Sequence, residues 1–164
     1  MDFYRRTGEL IFGTRLKRIS DKFLMDVSKI YKSLDIPFET SWFPLFYLLN
    51  ERGELPVTEI AKELKITHSA ISQMVNTLEK KKLIKFLKDK NDRRKRLIYF
   101  TPQGLKLIKV LVPIWKSIKT EMEELLKEKK HSRYLLLALD ELEDSMEEND
   151  LYHRVIENLK RIKY

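Results

Sequence analysis

Between residues 67 and 76, side chains able to read a polar surface recur at helical spacing. Thr67, His68, Ser69, Ser72, Gln73 and Asn76 would share the outer side of a helix, with Ile71 and Met74 on the other. Hydroxyl, imidazole and amide groups offer donors and acceptors that suit base edges and phosphate oxygens. Directly after them comes KKKLIKFLKDKNDRRKR, Lys80 to Arg96, in which ten residues are Lys or Arg and two are Asp. These seventeen residues hold the entire net charge of +8; the other 147 carry 23 basic and 23 acidic side chains, which cancel. Positive charge concentrated in this way marks a polyanion-binding surface, against the plainer alternative of a solubilising face.

Other chemistry is poorly provided for. The chain has no Cys, which removes disulfides, thiolate metal sites and thiol nucleophiles. Gly8, Gly13, Gly53 and Gly104 are scattered and build no phosphate loop, and no Ser sits at a strand-to-helix elbow. The pairs Glu123-Glu124 and Glu147-Glu148 fall on polar helix surfaces, where no raised pKa is expected. His131 and His153 lack ligand spacing and read as surface residues, so neither a metal nor a cofactor is expected. The acidic run Asp140 to Asp150 reads as the exposed face and end of a helix. No apolar run approaches a bilayer-spanning length, and the basic N-terminal stretch lacks a signal-peptide core. A non-enzymatic cytoplasmic protein without membrane association is expected.

The elements that must position the polar and basic groups are mostly helices. Residues 8–34 place Leu16, Ile19, Phe23, Val27, Ile30 and Leu34 on one stripe. Thr40 or Ser41 can cap a second helix, to about Glu51, with Pro44 in its first turn. Pro56 opens a short helix, Val57 to Leu64; Lys65-Ile66 links it to a helix from Ser69 to about Lys81, capped by Thr67. Steeply crossing helices need a small residue at the contact and a buried one in the turn, roles that fall to Ala61 and Ile66, with Ile60, Leu64, Ile71 and Met74 completing a shared core. The period then changes: Leu83–Leu87 and Leu97–Phe100 are β-type runs joined by a charged turn at Asn91-Asp92. Thr101 caps a helix that begins at Pro102 and carries a long apolar stripe, with a kink expected at Pro113. Helices over Tyr134–Met146 and Leu151–Ile162 follow.

This is a helix-turn-helix followed by a basic hairpin. The stretch LPVTEIAKELKITHSAISQMVNTLEKKKLIKFLKDKNDRRKRLIYFTPQGLKLI resembles the winged-helix core of MarR-family transcriptional regulators. Its most diagnostic piece, NDRRKRLIYFTPQG, is similar to the family's wing: an Asp-x-Arg tip (Asp92, Arg94), an apolar strand and a Thr-x-x-Gly helix start (Thr101, Gly104). The resemblance implies a mainly α single domain with a small β-hairpin wing. Its winged helix-turn-helix core, 55–101, is flanked by long helical dimerisation regions, 8–51 and 102–164. It further implies a homodimer binding a pseudo-palindromic site in double-stranded DNA, usually as a repressor. Thr67, His68, Ser69, Ser72, Gln73 and Asn76 would meet the major groove. Arg93, Arg94 and Lys95 would lie over the backbone or reach an adjacent minor groove, with Asp92 bracing Arg94. An effector, where one acts, would be small and aromatic or lipophilic and would meet Trp42, Phe46 and Trp115, whose plainer reading is core. Two departures concern Lys65 and Lys82, where family members often have Gly; a non-Gly residue in a left-handed cap costs about 1 kcal/mol. The segment GELIFGTRLKRISDKFLMDVSKIYKSLDIPFETSWFP also resembles regions fused to an N-acetyltransferase. The alternative function is therefore a winged-helix protein-interaction module or a regulatory half related to such fusions.

Overall fold

The computed structural model describes residues 2–88 and 96–162. They form two compact units, one up to Lys109 and one from Val110 onward. In the first, α1 (Phe3–Thr7) and a 3-10 turn (Gly8–Ile11) precede α2 (Phe12–Ser33). The sequence pattern placed the start of one helix at residue 8; instead Gly8, at φ 65°, ends α1 and the chain turns before α2 begins. On α2, Leu16 and Val27 are half-buried, Ile19, Phe23 and Ile30 are exposed, and Tyr31 is fully buried. The next helix, α3 (Phe43–Arg52), is entered through a 3-10 turn at Thr40–Trp42. Neither Thr40 nor Ser41 caps it: Trp42 is the cap residue, because the backbone has already turned with Trp42 N–H bonded to the Glu39 carbonyl at 3.0 Å. Pro44 lies in the first turn, as expected. Phe38 stands edge-on to Tyr31, Trp42 and Phe46 with ring centroids 5.0–5.7 Å apart, and Phe46 also meets Phe100 at 5.0 Å. This aromatic cluster is the centre of the unit's core.

The polar and basic groups are positioned by α4 (Val57–Glu63), α5 (His68–Lys80) and a three-stranded antiparallel sheet of order β1-β3-β2, made of β1 (Leu55–Pro56), β2 (Ile84–Lys88) and β3 (Arg96–Phe100). β1 was not expected. Two residues are too few to show a period, and Pro56 is tolerated because β1 is an edge strand, set opposite Leu97. Two helix–link junctions share one geometry. Lys65 (φ 51°) follows α4, and Ile66 N–H bonds back to the Ala61 carbonyl at 3.1 Å; Lys82 (φ 60°) follows α5, and Leu83 N–H bonds back to Leu78 at 3.0 Å. Both Lys residues therefore hold the left-handed cap that glycine prefers. Ile66, expected inside the turn, is 39% exposed: the backward bond holds it at the rim, and the core is filled instead by Ile60, Ile71, Val75 and Leu78. Leu64 and Met74 are half-buried.

One junction ties these elements together. The Thr101 hydroxyl donates to the Lys82 carbonyl at 2.6 Å, with the Leu83 carbonyl at 3.2 Å, and accepts the Gly104 N–H at 3.1 Å. The Thr101 N–H donates to Leu83 at 3.1 Å. Thr101 is the buried polar residue among the described ones. At Gly104 an added Cβ would stand 2.0 Å from the Leu83 carbonyl oxygen, so no side chain fits. From here α6 (Pro102–Lys127) starts, and it runs unbroken through Pro113.

The second unit continues with α6, a 3-10 turn at Ser132–Tyr134, α7 (Leu135–Glu148) and α8 (Leu151–Arg161). Ser132 Oγ donates to the Leu126 carbonyl at 2.7 Å across the turn. Asp150 caps α8 by accepting the His153 N–H at 2.9 Å, and Arg154 donates to the Asn149 and Ser145 carbonyls at 2.6 and 2.8 Å. The run Asp140–Asp150 is largely exposed, as its composition suggested. Leu136, Leu137, Leu151 and Tyr152 are all more than 60% exposed.

Gly104→Ala is expected to lower stability by about 1–3 kcal/mol through overpacking against backbone. Thr101→Val should cost a similar amount, about 1–3 kcal/mol, by stranding buried backbone groups. Lys82→Gly should gain about 0.5 kcal/mol, the relieved left-handed strain less the added unfolded-state entropy. Urea denaturation of the three variants checks the signs and the order.

Candidate nucleic-acid interface

The sequence of α5 divides it into two faces. Ile71, Val75 and Leu78 are buried, an apolar stripe that docks the helix on the core. Val75 and Leu78 were missed by the sequence reading, although their spacing from Ile71 is the signal that could have found them. The opposite side holds the expected polar set. Thr67 is the N-cap, its Oγ1 accepting the Ala70 N–H at 3.2 Å. Thr67, His68, Ser69, Gln73 and Asn76 are exposed and Ser72 is half-buried, its Oγ 3.4 Å from His68 Nδ1. Ala70 and Thr77 are exposed too, but Thr77 Oγ1 donates to the Gln73 carbonyl at 3.0 Å, so its hydroxyl is engaged within the helix. His68, Ser72 and Asn76 form one row along α5, each four residues from the next; Ser69 and Gln73 form a second.

The row His68, Ser72, Asn76 borders a groove of about 430 Å³, whose lining also includes Phe86 and Arg96 of the hairpin and Pro56 and Val57 at the start of α4. The register explains how the hairpin contributes. Phe86 pairs with Ile98 and Lys88 with Arg96, so Ile84, Phe86, Ile98 and Arg96 share one face. Along that face burial falls from Ile84 and Ile98, which are core, to half-buried Phe86 and exposed Arg96. The Arg96 guanidinium carbon stands 3.9 Å from the Phe86 ring centroid, a cation–π contact. Farther back, Lys81 Nζ lies 5.3 Å from the Trp42 ring centroid. Asp92, Arg93, Arg94 and Lys95, expected at the wing tip, lie outside the described residues.

The residues named for an effector are packed. Trp42 is 4% and Phe46 0% exposed, inside the aromatic cluster, and Trp115 is buried in α6 within the second unit. His131 is exposed, and His153 Nδ1 is 2.9 Å from its capping partner Asp150. Among the described residues no three His, Asp or Glu side chains converge as a metal site, and no helix is long and apolar enough to cross a membrane.

Residues 41–95 match the model of the MarR family. The fold is shared with several solved structures. S. aureus MepR in complex with DNA superposes with a TM-score of 0.69 at 24% identity, over 82% of this chain and 97% of that one. A MarR/EmrR family transcriptional regulator from Acinetobacter sp. ADP1 gives 0.67 at 21% identity, over 90% and 99%. A mutant MarR from E. coli complexed with operator DNA gives 0.67 at 17%, over 89% and 99%. No curated protein matches the chain.

The division of α5 into faces makes separate demands on its two sides. Thr67→Ala should lose about 1 kcal/mol of stability with the cap. Gln73→Ala, exposed and uncapped, should change stability by no more than about 0.5 kcal/mol. Thermal unfolding of both variants by circular dichroism checks the contrast.

Proposed function

Because residues 41–95 match the model of the MarR family, we propose that this chain is a DNA-binding transcriptional regulator that acts as a homodimeric repressor on a pseudo-palindromic operator. The observation that carries the reading is the exposed polar face of α5 set directly beside a basic hairpin. Placed in a major groove, Gln73 and Asn76 offer amides that can pair with adenine, and Thr67, Ser69 and Ser72 offer hydroxyls to bases or phosphates. Arg93, Arg94 and Lys95 would then meet the flanking backbone or a narrow minor groove, with Asp92 orienting Arg94. MepR and E. coli MarR, which share the fold, were solved with DNA.

A second copy is the natural cover for the apolar surface left open. On α2, Ile19, Phe23, Leu24 and Met25 are 38–51% exposed; on α7 and α8, Leu136, Leu137 and Leu151 are 61–65% exposed. An isologous contact would bury such surfaces on both copies at once and present two recognition helices to two half-sites. An effector of the small aromatic or lipophilic class, to reach Trp42 or Phe46, would have to displace the packing around Phe38.

Selection of bound sequences from a random duplex pool should return an inverted repeat, and sedimentation equilibrium at micromolar concentration should give a dimer. A monomer would sink the palindromic reading. Gln73→Ala should relax preference at one position in each half-site at a cost of about 1–3 kcal/mol. A reporter carrying the selected site across its promoter should fall in expression when the chain is supplied; a rise would mean activation.

A further inference from the structure

Arg96 does not belong to the set expected to contact DNA, yet the structure gives it a defined place beside α5. It begins β3, and its backbone is held in register opposite Lys88. Its guanidinium lies over the Phe86 ring at 3.9 Å. It lines the same groove as His68, Ser72 and Asn76 of α5. A long cation usually loses much side-chain entropy when it settles on a ligand. Stacking on an aromatic face removes part of that loss in advance, and it uses the flat face of the guanidinium while leaving the N–H edge free for bidentate bonding.

Dimensions decide what that edge would meet. A helix with its side chains is about 10–12 Å across, and the major groove is about 12 Å wide. With α5 inserted, little room for base contacts remains on its flank. What lies alongside is the sugar–phosphate wall. His68 and Ser72 border that flank, and Arg96 lines the same groove.

We propose that Arg96, pre-oriented by Phe86, clamps a DNA backbone phosphate in the groove between the recognition helix and the hairpin, with His68 and Ser72 supplying the opposing polar wall. The clamp thereby sets how deeply α5 sits in the major groove. This rests on the DNA-binding reading given above. It differs from the role of the wing tip in place and kind: the anchor is the first residue of β3, within the paired strands of the hairpin, and it is indifferent to sequence.

The test is a salt titration of affinity on the selected operator and on one scrambled duplex, for wild type, Arg96→Ala, Arg96→Lys and Phe86→Leu. Arg96→Ala should weaken both duplexes by a similar factor, about tenfold, and flatten the slope of log affinity against log salt by about 0.9 per subunit for the lost phosphate contact. Arg96→Lys should keep the slope, because the charge remains, and lose severalfold in affinity, because a point charge neither stacks nor bonds bidentately. Phe86→Leu should likewise keep the slope and lose affinity, which separates pre-orientation from charge. Unchanged affinity and slope in Arg96→Ala, with wild type binding normally, would overturn the clamp and leave the DNA-binding reading intact. A loss confined to the operator would also overturn it, by assigning Arg96 to a base. Wild type that binds neither duplex at low salt would overturn the DNA-binding reading itself, and the clamp with it.

Discussion

The placement of α5 against the hairpin depends on one hydroxyl and one missing side chain. Thr101 holds the carbonyls of Lys82 and Leu83 while capping α6, and Gly104 lets the first turn of α6 come against the Leu83 backbone. Helix α5 ends at Lys80, β2 begins at Ile84, β3 ends at Phe100 and α6 begins at Pro102, so four element ends are joined within a few residues of each other. Rotate any one of them and the angle between α5 and the hairpin changes. A buried hydrogen-bonded junction suits this task better than apolar contact alone. Its bonds have fixed directions, and leaving any of its groups unpaired is costly. The left-handed cap at Lys82 belongs to the same device. It turns the chain sharply enough to bring the Lys82 carbonyl to Thr101, and the strain of a non-glycine residue there is offset by the bonds it enables.

Charge is arranged around that rigid centre at some cost. Ten cations in seventeen residues repel one another, and the repulsion opposes folding. The structure moderates it by giving some of them aromatic company. Lys81 lies over Trp42 and Arg96 over Phe86, so two of the ten meet the negative face of a ring without any loss of net charge. By contrast, Arg52, on the far end of α3, is paired with Glu59 and Glu63 and serves to hold α4.

Much of this was legible in the residues. The Thr67 cap, the two β runs and the Thr101 helix start all rest on local chemistry, and the structure has them within a residue of where the spacing puts them. The polar face of α5 was legible for the same reason: residues four apart share a side. What was not legible depends on long-range geometry. β1 exists because Leu55 and Pro56 happen to lie beside Ile98 and Leu97, a contact no two-residue segment can announce. Ile66 looked like a core residue by type, but its place after a left-handed cap was decided by the backbone bond to Ala61. The 3-10 turns at Gly8–Ile11 and Thr40–Trp42 escaped because a pattern of apolar residues does not distinguish a tight turn from the first turn of a helix.

Arg96 is the instructive case of the second kind. In sequence it is one cation in a run, and no spacing rule separates it from Lys95 or Arg94. Only strand register shows that it shares a face with Phe86 and Ile98, and only the tertiary packing of β2 and β3 beside α5 turns that face into the wall of a groove. The same face is core at Ile84 and Ile98 and solvent at Arg96, so the hairpin is a lever whose buried end is fixed by apolar packing and whose outer end carries charge. A lever of that kind transmits the precision of the core to a surface cation. Burial of Ile98 fixes the register of β3, register puts Arg96 on the groove side, and the Phe86 ring limits how its guanidinium can turn.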